Sequence, residues 1–321
     1  MSLFGRSGLG RALAFLRSRL LGAVTLPALI GAAWAWRAGA FASGTAAAAD
    51  GAAGSGRGGS LLRLAIALAG LAAVELMNLF GADYLRHVRQ GRGAEGWPAG
   101  RGRVGPADGA GPAGVELGPQ LPGNPVAARL PPAAIPRLLL VLAAAGAAAL
   151  LYFALTVGPG VLAFLLPAAA VGALYVFSPF PYAFLGTALV PPLVAGGVAF
   201  VLLGRAPPGC FLSALPVSLV SAGVILTYQV AYRRERPPAA WVRALAVLLP
   251  YVLADVVVAL LLLARVYPRS GYFALLPAIV FPGWAARLLL TESRDPVPAT
   301  AVGVFLHSTL CLAIAAGLFW G

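Results

Sequence analysis

Long apolar runs alternate with short polar or glycine-rich segments along the chain, and this alternation predicts membrane-spanning helices. A helix needs about 20 apolar residues to cross the hydrocarbon core of a bilayer. Runs of this length lie near residues 20–40, 61–84, 137–157, 159–177, 183–204, 211–232, 241–264, 271–290 and 300–320. The pattern therefore predicts an all-α polytopic membrane protein, with about nine spans in a single domain over residues 1–321.

Two of the connecting segments lack any periodicity. Residues 86–136 include "GRGAEGWPAGRGRVGPADGAGPAGVELGPQLPGNPVAARLPP", which is rich in glycine and proline. Such composition is typical of a flexible segment, so we predict a long cytoplasmic loop that serves either as a lid or as a neutral linker. Residues 42–60 predict a plain flexible loop on the other side of the membrane.

The composition excludes a soluble protein, and the arginines indicate an orientation. Sixty per cent of the residues are hydrophobic and 10% are charged, whereas soluble domains carry roughly 25% charged residues. With a cytoplasmic N-terminus, 17 of the 23 arginines fall inside and six outside. The positive-inside rule then predicts a multi-pass protein of the cytoplasmic (inner) membrane with its C-terminus outside. Because the arginines lie between spans, the net charge of +13 does not predict binding to nucleic acid.

A first polar cluster closes the second span, in "ELMNLFGADYLRHVRQGRG". Glu75 and Asp83 are about 12 Å apart along a helix axis and on roughly the same face, and Asn78 follows Glu75 by three residues. Ionisable groups inside spans are costly and are functional candidates by default. The alternative is a helix end that reaches into lipid headgroups, which suits the following arginines from Arg86 to Arg92.

Two further polar segments are predicted at the same face of the membrane. The segment "TYQVAYRRERPPAAWVR" (227–243) ends the sixth span, and "YVFSPFPYAFLG" (175–186) joins the fourth and fifth spans. Asp255 lies in the seventh predicted span and His307 in the ninth. These two residues either pair with each other or each bond to a neighbouring group. The cysteines, Cys210 and Cys311, show no metal or redox spacing.

These segments resemble the UbiA superfamily of intramembrane prenyltransferases, and within it the menaquinone-type branch that prenylates dihydroxynaphthoate. "RSRLLGAVTLPALIGAAWAW" is similar to the family's first helix, and "NLFGADYLRHVRQG" to its first acidic motif. "YVFSPFPYAFLG" resembles the branch's proline-containing segment, and "GVILTYQVAYRRE" lies where the second acidic motif is expected. The resemblance implies a nine-helix bundle around a central apolar cavity, with both motifs on the cytoplasmic side.

The resemblance also implies a reaction and its residues. Family members bind a prenyl diphosphate through Mg²⁺ and transfer the isoprenoid chain to an aromatic or other lipid-pathway acceptor. Carried over to this chain, the catalytic residues are Asp83, Asn78 and Glu75, and the metal ligands are Asp83, Glu75 and Glu235. The expected substrate-binding residues are Tyr84, Arg86, Arg137, Ser178, Tyr182, Tyr228, Gln229 and Arg234.

The acidic motifs depart from the family pattern, which keeps other functions open. Ala82 and Arg86 replace an asparagine and an aspartate of the first motif, and the first aspartate of the second motif falls on Ala231 or Tyr232. One reading is an active Mg²⁺-dependent prenyltransferase. A second is a catalytically degenerate protein that binds an isoprenoid or quinone lipid, or supports a partner enzyme. A third, an unrelated transporter, is opposed by the absence of visible inverted repeats.

Overall fold

The computed structural model of the chain describes residues 25–41, 57–89, 134–177, 183–231, 240–275 and 297–321, which form helices joined by short turns. The eight α-helices are α1 (Thr25–Arg37), α2 (Arg57–Arg89), α3 (Ala134–Thr156), α4 (Leu162–Phe177), α5 (Ala183–Leu203), α6 (Pro208–Ala231), α7 (Ala240–Leu263) and α8 (Val297–Trp320). Short 3-10 helices at Pro159–Val161 and Arg269–Ala274 precede α4 and follow α7. No strand occurs in these residues.

Four of the helices are long and apolar enough to cross a membrane. The qualifying stretches are Gly58–Asn78, Ala134–Thr156, Pro208–Leu226 and Gly303–Trp320, and shorter apolar helices occupy Pro159–Val171, Thr187–Leu203 and Leu248–Leu263. The described helices follow eight of the predicted spans, and α2 runs further at both ends than the predicted 61–84. The predicted span at 271–290 and the predicted loop at 86–136 lie mostly outside the described residues.

The helices meet at one end of the bundle, where the described connections lie. Ser60, at the start of α2, donates a hydrogen bond to the carbonyl of Ala40, just after α1. The ring of Trp36 in α1 lies 5.7 Å from that of Phe319 in α8. The connected end, as we call it, comprises the C-terminal ends of α1, α3, α5, α7 and α8, the N-terminal ends of α2, α4 and α6, and their connections.

Two hydrophobic clusters form the core, and α1 and α5 belong to both. One cluster joins α1 and α5 to α6, α7 and α8, with Tyr251, Leu306 and Leu310 among its buried side chains. The other joins α1 and α5 to α2, α3 and the turn before α4, around Phe153 and Val161. The α1–α5 pair is therefore the centre of the described bundle.

Small residues bring α2 and α3 close together in antiparallel order. A Cβ atom at Gly70 would lie 2.9 Å from the Cβ of Ala149, and one at Gly146 would lie 3.2 Å from a methyl group of Val74. Glycine and alanine contacts of this kind are characteristic of helix pairs in membranes, where close backbone approach supplies much of the packing energy. These two contacts also fix the register of the pair, which bears on the site described next.

Candidate functional site

Glu75 continues a buried stripe of α2 into the polar cluster. Ala67, Leu71 and Glu75 follow one another at four-residue spacing, and all three are buried, with Glu75 only 4% exposed. Because residues four apart share a helix face, the sequence directs this carboxylate toward the interior of the bundle. Glu75 is therefore buried among the helices and is not directed toward lipid headgroups. Its catalytic and metal-binding roles stay predictions.

The remaining residues of the first cluster lie on the same continuous helix. Asn78 and Tyr84 are half-buried. Asp83 and Arg86 belong to the helical backbone of α2, but their side chains are outside the description. At about 100° per residue, Asn78 lies about 60° to one side of Glu75 and Asp83 about 80° to the other. The cluster therefore spreads over a broad arc of α2 with Glu75 at its middle.

Arg137 lies level with Asp83 in the register of the α2–α3 pair. The contacts of Gly70 with Ala149 and of Gly146 with Val74 pair residues whose numbers sum to 219 or 220. Extended along both helices, this register places Arg137 opposite residues 82 and 83. Arg137 is exposed in the first turn of α3. The structure thus puts one predicted substrate-binding arginine at the height of the first acidic motif.

The structure describes only part of the second predicted cluster. Tyr228 and Gln229 lie in the last turn of α6, with side chains that are outside the description. Ser178, Tyr182, Arg234 and Glu235 fall outside the described residues. Within the described ranges, α1 and α5 each pack against both α2 and α6, and α2 and α6 are not among the extensively packed helix pairs. The convergence of the two clusters over one cavity stays a prediction.

The two clusters do lie at similar depth. Glu75 is 15 residues, or about 22 Å, beyond Ser60 along α2, and Tyr228 is 15 residues beyond Ser213 along α6. Ser60 bonds to Ala40 at the end of α1, and Ser213 bonds to Trp34 about two turns earlier. The six residues from Ala40 back to Trp34 amount to about 9 Å, so the α6 cluster lies deeper than Glu75, near the level of Gly81 and within the length of the first cluster.

Sequence reasoning missed a polar junction at the connected end. The indole N–H of Trp34 donates to the hydroxyl of Ser213 over 2.9 Å, and the hydroxyl of Tyr267 donates to the carbonyl of Ser213 over 2.7 Å. Burial, with a smaller contribution from Cys311, raises the pKa of Tyr267 well above its usual value of 10.0, so the phenol stays a donor. From the sequence alone, Trp34 suits an anchor at the membrane interface, because no local pattern indicates its bond to Ser213.

No hydrogen bond joins the buried Oδ1 of Asp255 to the buried Nε2 of His307. Oδ1 of Asp255 and Nε2 of His307 are each buried without a hydrogen-bond partner in the described structure. The seryl hydroxyls nearby in sequence bond within their own helices, as Ser308 does to the carbonyl of Val304. These two groups therefore form no ion pair through those atoms, and neither lies on α2.

A concave feature, which we call the arginine cleft, lies at the connected end. It has a volume of about 520 Å³ and is lined by Trp34, Arg37, Ala38, Arg205, Ala206, Pro207 and Pro208. Its walls come from the end of α1 and from the turn between α5 and α6. The guanidinium carbon of Arg37 lies 5.5 Å from the ring centroid of Trp34, a cation–π geometry.

Over the residues that the structure describes, these features define an all-helical protein with helices suited to crossing a membrane and a buried carboxylate among them. Comparison with protein-family models, with curated proteins and with solved structures finds no match to this chain. The described residues include no group of three histidine, cysteine, aspartate or glutamate side chains that could hold a metal ion. Of the predicted Mg²⁺ ligands, only Glu75 has a described side chain.

Proposed function

We propose that this chain is a divergent UbiA-like prenyltransferase of the cytoplasmic membrane, which transfers an isoprenoid chain from a prenyl diphosphate to an aromatic or other lipid-pathway acceptor. The observation that carries the proposal is the burial of Glu75 inside a helix suited to crossing a membrane. A carboxylate is costly there, and such groups serve substrate, ion or proton binding far more often than packing.

The neighbouring residues supply what a diphosphate needs. Asn78 is half-buried one turn beyond Glu75, and Arg137 lies level with Asp83. A guanidinium binds phosphate oxygens bidentately, which suits Arg137, Arg86 and Arg234 to hold the leaving diphosphate. Tyr84, Tyr182 and Tyr228 would shield the allylic carbocation with their ring faces, while Ser178 and Gln229 would orient the acceptor.

Mg²⁺ would be held by Asp83, Glu75 and Glu235, and when bound it would neutralise charge on the leaving diphosphate. Glu75 fits this role chemically, since Mg²⁺ prefers oxygen ligands. Proteins usually bind Mg²⁺ with one or two carboxylates and let phosphate and water complete the octahedron. The proposal therefore requires substrate and metal to bind together.

The test is pyrophosphate release by purified protein supplied with Mg²⁺ and a series of prenyl diphosphates. E75Q and D83N should each lower the rate by about 10²-fold or more, because each removes a charged oxygen ligand. D255N is the matched control, since Asp255 lies on α7 outside the cluster, and it should retain the wild-type rate. Absence of release across donors, acceptors and Mn²⁺ would reject the enzymatic proposal.

The second candidate is a catalytically degenerate protein that binds an isoprenoid or quinone lipid or supports a partner enzyme. Arg86 at an acidic position of the first motif favours this function, because it reverses the local charge where Mg²⁺ is expected. The lack of extensive packing between α2 and α6 within the described ranges favours it as well. Lipid binding that is unchanged by EDTA and by E75Q, without pyrophosphate release, would establish it over the first candidate.

A further inference from the structure

The arginine cleft combines positive charge with an absence of described negative partners. Arg37 and Arg205 are both exposed and line the same cleft. Of the chain's ten acidic residues, only Glu75, Asp83 and Asp255 fall in the described part, and none of them lines the cleft. Two guanidinium groups therefore face a shared space in which no described carboxylate neutralises them.

The remaining lining leaves the guanidiniums as the principal donors. Pro207 and Pro208 have no backbone N–H, and the N–H of the Trp34 indole is already bonded to Ser213. Ala38 and Ala206 present only methyl groups beside their backbone. The cleft thus offers two fork-shaped cationic donors above apolar walls, which matches a phosphate group attached to an apolar molecule.

The position of the cleft indicates where such a molecule comes from. The connected end carries exposed Trp36 and Trp320, the latter 83% exposed, and tryptophan is enriched at the membrane–water interface. Arg37 is the last residue of α1, and Arg205 lies in the turn before the candidate span Pro208–Leu226. The cleft therefore opens at the height of lipid headgroups.

We propose that the arginine cleft binds the phosphate of an anionic glycerophospholipid, with Arg37 and Arg205 on the phosphate and the face of Trp34 against the glycerol region. The cleft lies at the opposite end of the bundle from Glu75 and Arg137. Its lipid is therefore distinct from the prenyl diphosphate of the proposed reaction, and the two proposals stand independently.

The test measures lipid binding to the detergent-purified full chain by native mass spectrometry. Phosphatidylglycerol should bind about tenfold more tightly than phosphatidylcholine, whose choline group competes for the phosphate charge. The double variant R37Q/R205Q should lose about tenfold in affinity for phosphatidylglycerol and little for phosphatidylcholine. R269Q is the matched control, because Arg269 is exposed at the same end but outside the cleft, and it should stay within about twofold of wild type.

Three results of these binding measurements would each overturn the proposal. The first is equal binding of the two lipids by wild type, and the second is a loss in R269Q as large as that in R37Q/R205Q. The third concerns the source of the phosphate: displacement of phosphatidylglycerol by millimolar glycerol 3-phosphate would make the ligand a soluble phosphate ester. Unchanged thermal unfolding of the double variant shows that any loss of binding is local.

Asp50 provides a further check, because it is the single acidic residue of the predicted segment 42–60 between the first two spans. D50N should keep its affinity for phosphatidylglycerol within about twofold of wild type, because under the proposal Arg37 and Arg205 bind the lipid phosphate and do not pair with Asp50. A tenfold rise in D50N would identify Asp50 as the group that neutralises the arginines, and would overturn the assignment of the cleft to lipid.

Discussion

Gly39 and Arg265 occupy equivalent positions at the ends of α1 and α7. In α1, the N–H of Gly39 bonds to the carbonyl of Trp36, and the N–H of Ala40 to that of Ala35. In α7, Arg265 bonds to Leu262 and Val266 to Leu261 in the same pattern. The pattern is a Schellman ending, which places its central residue at positive φ, and φ is 83° at Gly39 and 57° at Arg265. Glycine adopts this conformation without strain, whereas arginine does not.

Replacing Arg265 by glycine should therefore stabilise the protein. We expect the free energy of unfolding of R265G to rise by about 0.5–1 kcal/mol, because relief of the left-handed backbone exceeds the entropy that glycine gains in the unfolded chain. Equilibrium unfolding in mixed micelles measures the change. R269G is the matched control, since Arg269 has no positive φ and glycine there should destabilise. A destabilised R265G would mean that the arginine side chain outweighs the backbone strain.

Gly31 is the residue where a single methyl group should be least tolerated. A Cβ atom there would collide with the carbonyl oxygen of Ala195 at the α1–α5 contact. We expect G31A to lower the free energy of unfolding by about 1–3 kcal/mol, because backbone atoms must shift. G58A is the control: nothing lies within 4 Å of its Cβ, so it should be neutral or slightly stabilising. Equal stability of the two variants would contradict the close α1–α5 approach.

At the scale of elements, Ser213 ties three segments together. Its hydroxyl accepts from Trp34 of α1, and its carbonyl accepts from Tyr267, which follows α7. Both bonds join residues far apart in sequence, in contrast with Ser218 and Ser221, whose hydroxyls bond to carbonyls one turn earlier in α6 itself. The hydroxyl of Ser213 therefore contributes to helix association, while those of Ser218 and Ser221 satisfy themselves within α6.

A double-mutant cycle should detect the Trp34–Ser213 bond. W34F removes the donor and S213A removes the acceptor. The double variant should therefore lose about 0.5–1 kcal/mol less unfolding free energy than the sum of the two single variants. The cycle of W34F with S308A should be additive, because the hydroxyl of Ser308 bonds to Val304 within α8. Additivity in both cycles would show that the indole N–H contributes nothing to association.

At the scale of the whole molecule, the order of helices gives a topology that chemical labelling can test. Cys210 and Cys311 are buried, so the wild-type chain should not react with a membrane-impermeant maleimide. R205C, in the exposed turn between α5 and α6, should react from outside in intact cells, and A94C, in the predicted cytoplasmic loop, only after the cells are opened. Reaction of both variants from the same side would refute the predicted orientation.

The sequence predicted much of the helical framework and little of how its helices meet. Apolar runs located α3, α5 and α7 to within a few residues, because hydrocarbon demands a minimum length of apolar helix. The sequence also singled out Glu75 as a carboxylate within an apolar run, and the structure shows that its side chain is buried. The Trp34–Ser213 bond and the close approach of Gly31 to Ala195 join residues about 160 to 180 positions apart in the chain. No local sequence pattern encodes such contacts. Arg205 gained its significance only from its proximity to Arg37.

Only 6% of the residues in the spanning stretch of α3 are buried, and Leu140, Leu151 and Leu155 are all exposed. In a bilayer, acyl chains take the place of protein neighbours along this wall. Acyl chains adapt to any apolar outline, so exchanges among leucine, valine and alanine should pass almost without effect there. Most of α3 should therefore accept any apolar residue that keeps the helix long enough to span, whereas the glycine and alanine positions that face α2 should not accept larger side chains.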